Sequence, residues 1–398
     1  MHRISLEEEI YEINKYNINT RPILREIHTA DIHFGVNGID PKLQYDILEE
    51  QFYSKLDNME FDIISINGDL FDHKGMTNSS MTTYAAMSVS RIVNICKKKN
   101  NRPTFVILDG TDSHDAGQLS LFYHYLKDPD IDIRIVRKLQ FEYIKGAKIL
   151  CIPEMYNMGE EYYNHFLKHS GLYDGVFMHG MIKGAVHQQG SDGLNTYKAP
   201  TFSIQDFNNC LGPIISGHVH IPGCFNKYMY YSGSPLRFRH GEEEEKGFLI
   251  LLHNLNDQSH YVHFEPIKSF VYKTIYLDDI INQELKLISD FILDMKNKDI
   301  YNLRIKFNKP LSDIELNNLG LLKSYFRNRG DINFDYSSKE KLEEQKMMEE
   351  LNNKHSKYDF IFDDKLTPEQ IFIMYVNTNE ESEFITLEEF QNILDDKF

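Results

Sequence analysis

The chain has 398 residues and carries 43 Lys and Arg against 60 Asp and Glu, a formal charge of −17. Its 41% hydrophobic and 26% charged residues strike a globular balance, which excludes a mostly disordered or collagen-like chain. The length implies more than one core. The acidic start MHRISLEEEIYEI has no apolar stretch and does not read as a secretory signal. The longest apolar run, GFLILL at 247–252, falls well short of the ~18 residues of a bilayer span, so the chain is expected to be soluble and cytoplasmic. The charge argues against unassisted binding to a polyanion, but its distribution matters. Residues 337–398 hold 7 Lys and no Arg against 16 Asp and Glu, so more than half of the excess lies in a tail that need not face a substrate. Bound divalent cations would offset more. Cys96, Cys151, Cys210 and Cys224 form no CxxC pair, and buried, reduced thiols are expected.

Residues 1–21 read as a short polar, peripheral extension. From 22 to 268 a short apolar strand repeatedly ends in a polar cluster: ILREI before HTADIH, FDIISI before NGDLFD, TFVIL before DGTDSHD, DGVFM before HG, and GPIIS before GHVH. Helical periodicity separates some of them, at 45–56 and 81–98. This alternation predicts α/β layering, with the polar clusters at the carboxyl ends of strands, where open α/β sheets place their sites. Residues 269–336 read as a small α+β unit: strands VYKTIYL, IYNLRIKF and DINFDY, with helical QELKLISDFILDMK and LSDIELNNLGLLKSYFRN between them. Residues 337–398 read as a charged linker and a tail of two short helices opened by capping boxes at Thr367 and Thr386.

The chemistry lies in the strand-end clusters. Asp31 and His33 come from DIH, Asp69 and Asp72 from GDLFD, and His114 and Asp115 from SHD. His179 comes from HG, and His218 and His220 from GHVH. On extended backbone, residues two apart point the same way, so Asp-x-His and His-x-His can each meet one ion. Mixed carboxylate and imidazole donors suit Mn, Fe or Zn. Two ions roughly 3.5–4 Å apart can clamp a phosphoryl group for in-line displacement, and an imidazole can supply a proton to the leaving oxygen.

In this order the motifs resemble the calcineurin-like metallophosphoesterases, over about residues 23–252. The segment YSGSPLRFRHGEEEEKGFLIL at 231–251 is similar to the one that follows the GHxH motif in SbcD-type DNA nucleases. The resemblance implies a two-sheet core with helices outside, a small capping domain and a helical tail. It implies that Asp31, His33 and His220 ligate one metal, that Asp69 bridges, and that His179 and His218 ligate the second. His114 would be the catalytic imidazole, Asp72 would orient substrate or leaving group, and Asp115 would hold the His114 ring. It also implies two divalent ions per chain (Mn, with Mg, Fe or Zn as alternatives), a homodimer, DNA as substrate, and an SbcC-like SMC-family ATPase partner bound through the tail. The expected activity is exonuclease on double-stranded ends and endonuclease on single strands or hairpins, in the host cytoplasm if the chain is phage-encoded. The chain has no P-loop GxxxxGK[ST], so any ATP dependence would come from the partner.

One departure stands out. The family reads GNHD or GNHE, whose Asn ligates the second metal, whereas this chain reads Gly110-Thr111-Asp112-Ser113-His114-Asp115. Three outcomes are open: Asp112 ligates, Ser113 ligates directly or through water, or the second metal binds weakly. An intact but altered site is favoured, because every other ligand position is filled. Lys74, Lys183, Arg237 and Arg239 are read as phosphate contacts or as ordinary solvated charges, and the EEEE run at 242–245 as an exposed loop. His73, His124, His187 and His240 are read as having no metal role. Two other functions stay open: a phosphatase or small-molecule phosphodiesterase on the same core, and a non-catalytic scaffold with a decayed second site.

Overall fold

In the computed structural model, runs rich in Ile, Val and Phe, each punctuated by a polar cluster, become the strands. The described residues are 22–277, apart from 76–78, 116, 156–157, 159 and 184–200, together with 300–307, 332–335 and single positions between 311 and 323. The chain divides into two compact units, Met1–Tyr272 and Lys273–Phe398. The expected extension at 1–21 and tail at 337–398 lie outside the described residues, as do His187 and the helix expected at 283–296.

The first unit is α/β and holds two six-stranded mixed sheets. In one, β1 (Ile23–Thr29), β2 (Ile63–Asn67), β3 (Thr104–Leu108) and β4 (Asp132–Val136) run parallel. Every residue of β2 and β3 is buried, as parallel strands covered on both faces require. The other sheet contains β5 (Gln140–Ile144), β6 (Ala147–Ile152), β7 (Gly175–His179), β10 (Ile214–Gly217), β11 (Gly223–Cys224) and β12 (Met229–Tyr231), in the order β11-β12-β10-β7-β6-β5. A separate pair is formed by β8 (Met181–Ile182) and β9 (Thr201–Phe202). The hairpin of β13 (Lys246–Asn254) and β14 (His260–Ile267) completes the first sheet, β13 pairing antiparallel with β1. Between the sheets, Leu24, Ile63, Val106 and Leu108 pack with Ile149, Cys151 and Phe177. This layer aligns the carboxyl ends of β1, β2, β3, β6, β7 and β10.

Helix α1 (Pro41–Leu48) starts where the Asp40 side chain accepts the Lys42 N–H and Pro41 opens the first turn. It passes through a π turn, Glu49–Tyr53, into α2 (Ser54–Asn58). The helical pattern at 45–56 is present, but periodicity alone does not announce the π turn. The wider turn lets two consecutive rings, Phe52 and Tyr53, both bury completely. Helix α3 (Ser80–Lys98), capped by Ser79, takes the place expected for the helix at 81–98. A 3-10 stretch spans Gln118–Lys127, and α4 is Glu160–His169. All four cysteines are free; Cys96 and Cys151 are buried as expected, but Cys210 is half-buried and Cys224 exposed, because the latter lies on the short edge strand β11. The second unit is described mainly through its three-stranded sheet, β15 (Val271–Leu277), β16 (Ile300–Phe307) and β17 (Ile332–Asp335), with β16 and β17 parallel.

A buried polar chain ties the two sheets of the first unit. Glu26 on β1 contacts His28 at 3.1 Å and His253 on β13 at 3.4 Å. His253 meets Gln258 at 2.9 Å, and Gln258 donates to Asp174 at 2.8 Å, just before β7. Burial pushes the Glu26 carboxyl up, but His253 and His28 outweigh it and hold it at about 2. Burial lowers His253, but Glu26 outweighs it and raises the imidazole above its ordinary value. The Glu26 contribution is therefore complete above about 4.5 and is lost as pH falls toward 2, a loss of order 3 kcal/mol. The His253 contribution is complete below about 6.5 and fades as pH rises through its raised value. Chemical denaturation across pH 2–9 should show a steep acid loss in the wild type and a clearly shallower one in Glu26→Gln.

Candidate metal centre

Six strand ends converge on one buried cluster. The loop after β1 carries Asp31 and His33, that after β2 carries Asp69, and that after β10 carries His218 and His220. These residues sit in unusual backbone: Asp31 (φ 52°), His33 (φ 49°), Asp69 (φ 52°) and His218 (φ 81°) are left-handed. They are four of the seven non-glycine residues with positive φ among those described. Such conformations cost of order 1–3 kcal/mol and persist only where the surroundings impose them. Here the imposition is visible. The Asp31 N–H donates to the Gly68 carbonyl at 3.0 Å and the His33 N–H to the Asp69 carbonyl at 3.1 Å. The His218 N–H donates to both Asp31 oxygens at 3.0 and 3.1 Å.

Among the described residues, four groups of three side chains bring ligand atoms within 4.8 Å of one another: Asp31-His33-His220, Glu154-His179-His218, Asp31-Asp69-His179 and His33-Asp69-His114. The first holds the three residues expected at one metal. The second contains both expected second-site histidines plus Glu154. Asp69 stands between the two, its Oδ2 3.2 Å from His179 Nε2 and 3.8 Å from His33 Nε2. His33 and His220 face each other with their Nε2 atoms 3.1 Å apart. His179 donates from Nδ1 to the Asn67 carbonyl at 2.6 Å, which turns Nε2 toward the carboxylates. That Nε2, Glu154 Oε1 and His33 Nδ1 are buried without a hydrogen-bond partner. Buried polar atoms are normally satisfied, and these three belong to groups of side chains that could hold a metal ion.

Burial raises the Asp31 carboxyl despite the imidazoles nearby. It also pushes Asp69 up, but His179, His114 and His33 outweigh it and leave Asp69 well below its ordinary value. Burial disfavours the charged imidazole at His33 and lowers it. At His179 the same penalty is outweighed by Asp69 and Asp31, which raise it well above its ordinary value.

Several expected roles change. Asp115 does not hold the His114 ring. Its fully buried carboxylate accepts the N–H groups of Asp69 at 3.0 Å, Gly110 at 2.8 Å and Phe71 at 3.1 Å. It therefore ties the β2 loop to the β3 loop. Burial, then the Asp69 charge, push it up to about 7. The His114 ring is held instead through Nδ1 by the Asp72 backbone carbonyl, and packs edge-on against His33 with centroids 4.8 Å apart. The Asp72 carboxylate lies at the rim, 3.2 Å from His73 and 3.6 Å from His33. Asp112 and Ser113 are exposed and belong to none of the four groups. Besides His114, Thr111 of that turn reaches the cluster. Its N–H donates to Asp69 Oδ1 at 2.6 Å, and its hydroxyl lies 3.1 Å from Asp69 Oδ2 and 3.4 Å from Glu154 Oε2.

Glu154 was not anticipated. It follows β6 (AKILCI), and the stretch AKILCIPE has the same form as the other motifs, an apolar strand followed by a ligand-type residue. That repetition was the available signal, but a single carboxylate beside Pro153 has no paired histidine to mark it. The EEEE run is not one exposed loop either. Glu242 is buried, accepts the Phe238 N–H at 3.1 Å, and lies 3.7 Å from His220 Nδ1. Lys246 is also buried, with Nζ on the His220 carbonyl at 3.0 Å and on Glu244 at 2.6 Å. Arg237 is not a solvated charge: its guanidinium donates to the carbonyls of Glu242, Glu244 and Phe270. The 231–251 segment thus braces the GHVH loop from behind. Lys74 and Lys183 are exposed.

No protein-family profile and no curated protein matches the chain. Among solved structures, a hypothetical protein from Pyrococcus horikoshii is 11% identical with a TM-score of 0.27, the match covering 67% of this chain and 93% of that one. A protein of unknown function from Aquifex aeolicus is 15% identical with a TM-score of 0.20, covering 45% and 88%.

The close approach of the β2 and β3 loops depends on Gly110. A Cβ there would sit 2.1 Å from Asp69 Oδ1 and 2.2 Å from the Asp69 nitrogen. Gly110→Ala should therefore displace Asp69, lower the melting temperature and weaken Mn binding, both read by thermal shift with and without added Mn. Gly241→Ala, with nothing within 4 Å of its Cβ, should keep the Mn-induced shift, although its positive φ adds some strain.

Proposed function

We propose that this chain is a metal-dependent phosphodiesterase that cleaves DNA, the nuclease subunit of an SbcCD-like repair or recombination complex. The observation that carries the hydrolytic reading is a pair of His/carboxylate triads joined through Asp69, with buried donor atoms left unsatisfied. The donor set fits divalent Mn, Fe or Zn, since it combines three carboxylates with imidazoles and contains no thiolate. Asp31, His33 and His220 would hold one ion, His179 and His218 the second, and Asp69 both. Such a pair supplies Lewis-acid stabilisation of a phosphoryl group and activation of the attacking nucleophile.

The chain's own residues do the rest. His114 donates a hydrogen bond from Nδ1 to the Asp72 carbonyl. With Nδ1 so engaged, Nε2 is the ring nitrogen that would exchange a proton with a substrate oxygen. The half-buried position of His114 at the mouth of a buried cluster gives a phosphodiester access to it. Asp115 and Thr111 hold Asp69 in place through backbone and hydroxyl hydrogen bonds. DNA as substrate, double-stranded ends and hairpins as targets, the homodimer and the SMC-family ATPase partner rest on the resemblance of residues 231–251 and of the chain's layout. A cytoplasmic location belongs to the same reading.

Linear and hairpin DNA incubated with Mn should be cut by the wild type. Asp69→Ala should be at least about 100-fold slower, because even the partners of metal ligands cost 10–100-fold when removed. Cleavage of bis-p-nitrophenyl phosphate with none of DNA would assign the chain to small phosphodiesters instead. His114→Ala should lose roughly 10²–10⁴-fold in rate while keeping the wild-type count of bound Mn. A drop in bound Mn would make His114 a ligand rather than a proton donor.

A further inference from the structure

The turn after β3 lacks the donor that a second cation would require of it. Asp112 and Ser113 face solvent, and Thr111 is committed to Asp69. On the opposite side, the end of β6 delivers Glu154. Its carboxylate is 4% exposed as a residue, with Oε2 2.9 Å from His218 Nδ1 and 3.4 Å from His179 Nε2. Its other oxygen, Oε1, is buried without a hydrogen-bond partner, as is His179 Nε2. The backbone holds this position firmly: the Glu154 N–H donates to the Asp109 carbonyl at 3.2 Å, joining the end of β6 to the end of β3.

We infer that Glu154 ligates the second divalent cation together with His179 and His218, so that a carboxylate from β6 takes over from the missing donor of the β3 turn. This rests on the two-metal reading of the cluster and concerns how its second half is completed. A bound cation would take up both Glu154 Oε1, which has no hydrogen-bond partner, and His179 Nε2, which makes ion-pair contacts to the Asp69 and Glu154 carboxylates. The substitution also changes the chemistry. A carboxylate adds a negative charge and a hard oxygen donor, which favours Mn over softer ions. The cluster then holds three carboxylates, Asp31, Asp69 and Glu154, against two divalent charges.

The test counts Mn bound to the full chain after equilibrium dialysis, and records its electron paramagnetic resonance spectrum. The wild type should bind two Mn with a spin-coupled spectrum. Glu154→Gln, close in size, should keep one tight Mn and show an uncoupled six-line spectrum, the second dissociation constant rising at least about 100-fold. Glu154→Asp, which retains a carboxylate on a shorter arm, should bind two Mn with the second weakened less. Asp112→Ala/Ser113→Ala should bind two as the wild type does. Wild type binding no Mn would overturn the two-metal reading itself. Two Mn in the wild type and two of unchanged affinity in Glu154→Gln would overturn the role of Glu154 and leave that reading standing. Loss of the second Mn in the turn double variant, or of both Mn in a folded Glu154→Gln or Glu154→Asp, would also overturn the assignment. A Glu154→Gln chain that does not fold passes the decision to Glu154→Asp, where unchanged second-site affinity would count against it.

Discussion

Three carboxylates and five imidazoles meet where the carboxyl ends of two sheets converge, with the carboxylates, His33 and His179 buried. Like charges at such a point are costly out of water unless they are paired or hydrogen-bonded. The surrounding structure reads as the response to that cost. The His218 N–H is shared between both Asp31 oxygens, Asp69 is gripped by Thr111, and His179 is anchored on the Asn67 carbonyl. Asp115 spends its whole carboxylate on the backbone of the two loops that present Asp69. Each of these holds a side chain in place within groups that could hold a metal ion.

The same logic explains the backbone. A strand end that continued straight would carry its polar side chains past one another. The left-handed residues at Asp31, His33, Asp69 and His218 fold each loop back over the sheet edge. Glycines at 68 and 110 then let these loops approach to distances that a side chain would block. The positions of the clustered Asp and His side chains, the loop conformations and the small residues therefore depend on one another.

Much of this was legible in the sequence. The parallel strands were marked by apolar runs of five or so residues, and the histidines and aspartates by their place directly after those runs. Sequence adjacency misled where the third dimension decides. Ser113 and Asp112 stand in the right place along the chain but point to solvent, whereas Glu154 arrives from a neighbouring strand end. Arg237 and Glu242 belong to a stretch that looks like a solvated charged loop, yet both are held by carbonyls, amides and Lys246 behind the GHVH loop. The π turn before Ser54 leaves no trace in a hydrophobic pattern, since one extra residue in a turn shifts the buried face without breaking it.

The pairing of β1 with β13 sets an order on how this unit can be made. Ile27 lies opposite Ile250, so a chain emerging from the ribosome assembles β1 to β4 while one flank of β1 remains open to other chains. Contacts so distant form slowly, and an unpaired strand flank is a template for aggregation. The hairpin that closes this flank begins with Lys246, which also braces the loop of His218 and His220. Synthesis therefore ends the exposure of the nascent sheet and completes the histidine loop in the same step.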